Sequence, residues 1–136
     1  TYREAPAGEQ TQVVSRETAQ QMIRMMESVV ADGTGKRAAI TGYRVAGKTG
    51  TAQVADGAGG ISATVASFVG VTPAEAPRIA VGVVVYKPTS GFYGGTIAAP
   101  IFHDVASFAL QSLGVAPSTT SADPYPLSPD DPQSTS

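Results

Sequence analysis

The segment Ile79-Ala-Val-Gly-Val-Val-Val-Tyr86 constrains the fold of this chain more than any other. It carries no charge, is rich in β-branched valine, and falls far short of the ~20 apolar residues that a membrane helix needs, so it reads as a strand. Being apolar at odd and even positions alike, it is expected at the centre of a sheet covered on both faces. Such a sheet needs helices around it, and the chain offers two. Ser15 can cap a helix over about Arg16 to Asp32, where Met22, Ile23, Met26, Val29 and Val30 recur at helical spacing and Gly33 is the stop. Its methionines are expected to fill core. The second helix is expected around Pro100, placed in the first turn, with Ile101, Phe102, Val105, Phe108, Ala109 and Leu113 as its apolar face and Gly114 as its end.

Between these helices, Tyr43 to Val54 and Ser62 to Val71 read as two further strands joined by the turn Asp56-Gly-Ala-Gly-Gly60. The predicted fold class is therefore α+β: a helix, three antiparallel strands and a helix, with the helices flanking the sheet. A length of 136 residues allows one domain at most. Residues 1–12 are polar and read as a loop, 13–115 as the ordered unit, and 116–136 as an extended Pro/Ser-rich tail carrying Pro117, Pro124, Pro126, Pro129 and Pro132.

Several function classes drop out on composition. The chain has no Cys and a single His, His103, so thiol catalysis, disulfides and multi-histidine metal sites are excluded and no metal or cofactor is expected. Lys and Arg number 9 against 11 Asp and Glu, with no basic block, which argues against nucleic acid as a partner.

Two motifs overlap in the first strand. Gly42-Tyr-Arg-Val-Ala-Gly-Lys-Thr49 fits the phosphate-cradling pattern G-x-x-x-x-G-K-[ST]. That loop works only where a helix follows at once, because the helix N-terminus holds the phosphates. The residues that follow here, Gly50, Thr51, Val54, Gly57, Gly59 and Gly60, are poor helix formers. The second motif, Lys48-Thr-Gly-Thr-Ala-Gln53, suits a strand. An enzyme that acylates itself with a peptide ending in a carboxylate needs a fixed cation, hydroxyls for that carboxylate, and an N–H aimed at the developing oxyanion. Lys48 supplies the cation, Thr49 and Thr51 the hydroxyls, and Gly50 a stretch of backbone that a substrate can approach closely. A K-T-G triplet on an edge strand is one of three elements of the penicillin-reactive serine acyltransferases.

The likeness extends well beyond the triplet. Val14 to Val30, Gly33-Thr-Gly35, Gly42-Tyr43, Val45 to Gln53, Phe68-Val-Gly70, Pro77 to Val81, Tyr93-Gly-Gly95 and Ala98 to Phe102 together resemble the transpeptidase domain of penicillin-binding proteins, nearest the monofunctional, class B, division type. The resemblance covers about residues 13 to 115. It implies a peptidoglycan D,D-transpeptidase that is acylated by stem peptides and by β-lactams, in which the Thr51 N–H forms part of the oxyanion hole. It also implies cell-division proteins as partners, and a membrane-anchored enzyme on the extracytoplasmic face of a bacterial membrane.

Two elements of the family pattern do not occur here. No Ser is followed three residues later by Lys, and the chain contains no Asn, so neither S-x-x-K nor S-x-N is present. Both precede the K-T-G strand in the family, so the chain is expected to be the C-terminal part of such a domain, partnered by the remaining N-terminal part. A carboxypeptidase or β-lactamase-like hydrolase of the same fold, and a noncatalytic binding module, stay open as alternatives. Lys48 and Thr51 are the expected catalytic residues. Thr49, Gly50, Gln53 and Tyr93 are expected at the substrate, with Phe92 a further cleft candidate. Gly94 and Gly95 are assigned to turn geometry, His103 to an exposed polar face, and Lys36 and Arg37 to a solvated cleft-side loop, with steering of an acidic substrate as their alternative.

Overall fold

The computed structural model describes residue 8 and residues 11–125, so most of the expected N-terminal loop and the tail beyond residue 125 lie outside the described residues. Helix α1, Arg16–Ala31, starts where Ser15 Oγ accepts the Thr18 N–H and closes on Asp32, whose N–H returns to the Ser28 carbonyl. Gly33 follows because a Cβ there would come within 2.8 Å of Val29 Cα. After a short 3-10 turn, Lys36–Ala38, the strands β1 (Ala46–Ala55), β2 (Ile61–Thr72) and β3 (Ile79–Tyr86) form an antiparallel sheet in the order β1-β2-β3. Helix α2, Gly94–Ser112, completes the α+β architecture, packing across β2 and β3 while α1 lies against β1.

The core forms between the sheet and α2. The rings of Phe68 on β2 and Phe102 on α2 are fully buried, 4.8 Å apart between centroids and tilted by 59°. Gly47 on β1 makes room for them, since a Cβ at that position would strike the Phe68 ring. At Gly70 a Cβ would stand 2.8 Å from the Ala46 carbonyl oxygen and 3.0 Å from the Phe102 ring.

Four expectations need correction. Strand β3 is an edge of the three-stranded sheet and β2 is its centre, because both connections are short and each strand pairs with the one before it. Ile79, Val81 and Val83 of β3 pack on the core, whereas Val84 on the other face is 68% exposed. Strand β1 begins at Ala46 rather than Tyr43: Gly42 adopts φ +83°, Tyr43 closes a turn onto the Ile40 carbonyl, and its hydroxyl donates to the Val115 carbonyl at 2.6 Å. Pro100 lies inside α2, not in its first turn, because the helix begins at the Gly94-Gly95 pair. On α1, Met22 and Met25 are about half exposed, and the buried positions are Glu27, Ser28 and Val30.

Glu27 is the most consequential of these. It is 1% exposed and takes two hydrogen bonds of 2.7 Å from the Nε and Nη2 of Arg44, a bidentate pair. Arg44 draws other segments to the same point. Its carbonyl accepts from the Thr72 hydroxyl and the Ala74 N–H, its own N–H donates to Ser118 Oγ, and its Nη1 donates to Thr120 Oγ1. The bonds it donates to Glu27 raise the Arg44 guanidinium above its ordinary range. Beyond Thr120 the chain continues over α1, where Arg24 pairs with Asp123 at 2.8 Å and stacks over the Tyr125 ring.

Removing one member of a buried pair strands the other. In the complete transpeptidase domain, Arg44→Met is expected to lower the unfolding free energy by about 3 to 5 kcal/mol in urea titrations, with Glu27→Leu/Arg44→Met recovering most of the loss. A second expectation concerns the β1–β2 turn, where Asp56 Oδ1 accepts the N–H groups of Ala58 and Gly60, both at 2.8 Å. These bonds hold its carboxyl below the usual carboxylate range. The turn is therefore stabilised above the unfolded value of about 3.9 and loses that contribution as pH falls through the lower folded value. The Ala58 and Gly60 amide resonances should be constant from neutral pH to about pH 4 and move toward unstructured positions below it.

Candidate active site

Strand β1 is the other edge of the sheet, and its register decides which way its side chains project. Thr49 stands opposite Phe68 and Thr51 opposite Ala66, so both threonines share the face covered by α2. Lys48 stands opposite Val69, which is 54% exposed, on the other face. Its side chain curls over the edge, placing Nζ 2.8 Å from the Thr49 carbonyl oxygen and 3.4 Å from Thr49 Oγ1. Cation and hydroxyls thus meet at one rim although they alternate along the strand.

The rim opens into a cleft of about 540 Å³. From β1 it takes Lys48, Thr49 and Thr51, and from the segment after α1 it takes Thr34, Lys36 and Arg37. Tyr93, Gly94, Gly95 and Thr96 close it at the start of α2. Two contacts tie these walls together: Thr34 and Thr49 share a hydrogen bond of 2.8 Å between hydroxyls, and the Gly94 N–H donates to Thr51 Oγ1 at 3.2 Å. The two glycines let α2 come this close. A Cβ on Gly94 would collide with the Ser67 carbonyl oxygen and stand 2.6 Å from the Gly50 carbonyl oxygen, and one on Gly95 would collide with the Thr34 carbonyl oxygen.

Among the described residues three cations and no carboxylate line the cleft, so its field favours an anion. Lys36 also pairs loosely with Asp32 at 3.4 Å, both well exposed. The N-terminus of α2 adds the positive end of a helix dipole. Among the described residues lining the cleft there is no Ser, Cys or His. The arrangement can hold a carboxylate and polarise a carbonyl.

Lys48, Thr49, Thr51 and Tyr93 are brought together as the sequence suggested, Tyr93 being 69% exposed at the N-cap of α2. Gly50 lies between the threonines but faces other groups: the start of α2 covers its backbone, and a Cβ would strike Ser67 Oγ. Gln53 pairs with Thr64 farther along β1 and is not in the cleft wall, while Phe92 lines a separate hollow with Ile61, Lys87 and Pro88. His103 is remote, its Nδ1 2.7 Å from the Ala39 carbonyl oxygen. Strand β1 runs unbroken past Thr49 to Ala55, so no helix receives a phosphate and the nucleotide-loop reading falls.

Lys36 and Arg37 line the cleft while staying exposed to solvent, and Thr34 and Thr96 were not singled out for it. The signals for Thr34 were its place between two glycines, Gly33 and Gly35, and the family likeness of that triplet. Gly94 and Gly95 serve close approach rather than a turn, since both are helical and neither has a positive φ.

Comparison with known proteins agrees with this geometry. The family described as penicillin binding protein transpeptidase domain matches residues 2–107. The chain is similar to stage V sporulation protein D of Bacillus subtilis, 47% identical over 108 residues that make up 78% of this chain and 17% of that protein. It is also similar to peptidoglycan D,D-transpeptidase FtsI of Escherichia coli, 41% identical over 99 residues, 71% of this chain and again 17% of the relative. Among solved structures, the transpeptidase domain of penicillin-binding protein 3 from Burkholderia pseudomallei superposes with a TM-score of 0.68 at 42% identity, covering 76% of this chain and 32% of that one. The chain therefore spans about a sixth of these curated relatives and a third of the solved domain. With the fold, the K-T-G strand and these matches in agreement, the chain belongs to the penicillin-binding protein transpeptidase family.

Proposed function

We propose that this chain supplies the K-T-G wall of the active site of a peptidoglycan D,D-transpeptidase. The observation that carries the reading is the rim where Lys48 Nζ and the hydroxyls of Thr49 and Thr51 converge on a cleft that, among the described residues, is lined by cations and by no carboxylate. The terminal carboxylate of a stem peptide fits there, against Lys48 and Thr49. Strand β1 is an edge, so its unpaired backbone groups can take an extended peptide as an added strand. Lys48 bonds the Thr49 carbonyl from the cleft side, and backbone groups two residues apart in a strand point the same way, which directs the Thr51 N–H to that side too.

A serine from the remaining N-terminal part of the domain attacks the penultimate carbonyl, and the Thr51 N–H stabilises the oxyanion. The terminal D-alanine leaves with the serine proton delivered to its nitrogen, forming an acyl-enzyme, and an amine on a neighbouring strand displaces the serine. A β-lactam carries a carboxylate at a similar distance from its reactive carbonyl and acylates the same serine, with Gln53 and Tyr93 as flanking substrate contacts. The relative named as a peptidoglycan D,D-transpeptidase favours a role in building peptidoglycan, and division proteins are the partners we propose for it. Such an enzyme works on the extracytoplasmic face of the membrane, held by an anchor outside this sequence. No helix among the described residues is long and apolar enough to cross a membrane.

Replacing Lys48 by Ala in the complete enzyme should slow acylation by penicillin roughly ten- to a hundred-fold, corresponding to the loss of a charge-assisted contact of about 1.5 to 3 kcal/mol, while the melting temperature stays put because the side chain is exposed. Unchanged acylation kinetics would remove Lys48 from the site. Residues 1–136 produced alone should not be labelled by a fluorescent penicillin, and should not melt cooperatively as a monomer, because Val69, Val84 and Tyr86 leave the outer sheet face uncovered. Each such side chain forgoes ~1.5 to 3 kcal/mol of burial, against ~5 to 15 kcal/mol for a whole domain.

A further inference from the structure

The Thr49 hydroxyl has more neighbours than a carboxylate-binding group requires, and they decide where its proton points. A hydroxyl donates once and accepts twice. Two polar atoms stand at Thr49 Oγ1: Lys48 Nζ at 3.4 Å, which can only donate, and Thr34 Oγ1 at 2.8 Å, which can do either. When Thr34 donates, both acceptor positions of Thr49 are filled and its proton is free to point into the cleft. When Thr34 accepts, the Thr49 proton is consumed and a bare lone pair faces the ligand, which an anion avoids.

From this juxtaposition we infer that Thr34 is a positioning residue: by donating to Thr49 it turns the Thr49 proton toward the carboxylate of the ligand, and so sets the preference of the site for ligands that carry a carboxylate there. Thr34 itself is held from both sides. A Cβ on Gly33 would come within 2.8 Å of Val29 Cα, and one on Gly35 within 3.1 Å of the Val29 carbonyl oxygen and 3.2 Å of the Phe68 ring, so the segment is pressed onto α1 and the core. Gly95 of α2 abuts the Thr34 carbonyl from the opposite side. The hydroxyl is the part of Thr34 left to the cleft, where it lines the wall beside Thr49. This assignment rests on the transpeptidase reading.

The test uses the complete enzyme and two probes, benzylpenicillin and its uncharged methyl ester, with the second-order acylation rate measured for each. Thr34→Val and Thr34→Ala are each expected to lower the ratio of acid to ester rates about five- to ten-fold, the size of one lost neutral hydrogen bond. Thr34→Ser should return the ratio to within about two-fold of the parent, and all three should melt at the parent temperature because the side chain is exposed. An unchanged ratio in Thr34→Val and Thr34→Ala, or an equal loss with both probes, would overturn the assignment. A parent enzyme that benzylpenicillin does not acylate would overturn the transpeptidase reading, and the Thr34 assignment with it.

Discussion

The ion pair between Glu27 and Arg44 is the contact on which the rest of this molecule hangs. A carboxylate 1% exposed on the sheet-facing side of α1 is tolerable only with a cation locked onto it, and Arg44 meets it with two bonds of 2.7 Å. Because Arg44 stands just before β1, the same pair fixes where the K-T-G strand begins. Its backbone then gathers the start of the β2–β3 connection through Ala74, and the segment after α2 through Ser118. One buried charge therefore sets the relative position of a helix, a strand and two connecting segments. The hydrophobic contacts around Phe68 and Phe102 supply the bulk of the burial, but they are nondirectional and would accept small slides that this bidentate geometry resists.

Close backbone approach is the second theme, and it links the core to the cleft. Gly47 lies under the Phe68 ring, Gly94 sits over the Gly50 backbone, and Gly95 abuts Thr34. Each missing Cβ removes a spacer between layers. The consequence at the cleft is that the segment after α1, strand β1 and helix α2 deliver their groups to a single rim: Thr34 and Lys48 both bond Thr49, and the Gly94 N–H bonds Thr51. The positive field of the cleft follows from the same convergence, since Lys36 and Arg37 arrive from the segment that Gly33 and Gly35 press down.

Much of this was legible in the residues. Ser15 and Gly33 marked the ends of α1, β-branched and small residues broken by glycine marked the β1–β2 hairpin, and Lys48-Thr-Gly-Thr51 named the chemistry. What misled was local pattern where tertiary contact prevailed. The apolar run Ile79–Tyr86 read as a central strand, but which strand is central depends on connection length and pairing, and Val84 stands in solvent. Gly94 and Gly95 read as a turn because isolated glycine disfavours helix by about 1 kcal/mol, a cost that packing against β1 and Thr34 overcomes. Glu27 fell inside the apolar stripe, four residues after Ile23 and three before Val30. That misplaced charge was the readable sign of a buried partner, though nothing local identified Arg44 as that partner.

The sequence by itself determined the order of elements, the family and the chemical identity of the cleft rim, because capping, side-chain period and the K-T-G spacing are local properties of a chain. Only the tertiary structure decided that Lys36, Arg37 and Thr34 join that rim, that Gln53 and Phe92 stay outside its wall, and that β2 rather than β3 is buried centrally. The physical reason is one of range. Propensity and periodicity act over a few residues, whereas the meeting of residues fifteen apart at Thr34 and Thr49, or seventeen apart at Glu27 and Arg44, depends on how closely layers pack, and here absent Cβ atoms and one buried charge set that closeness.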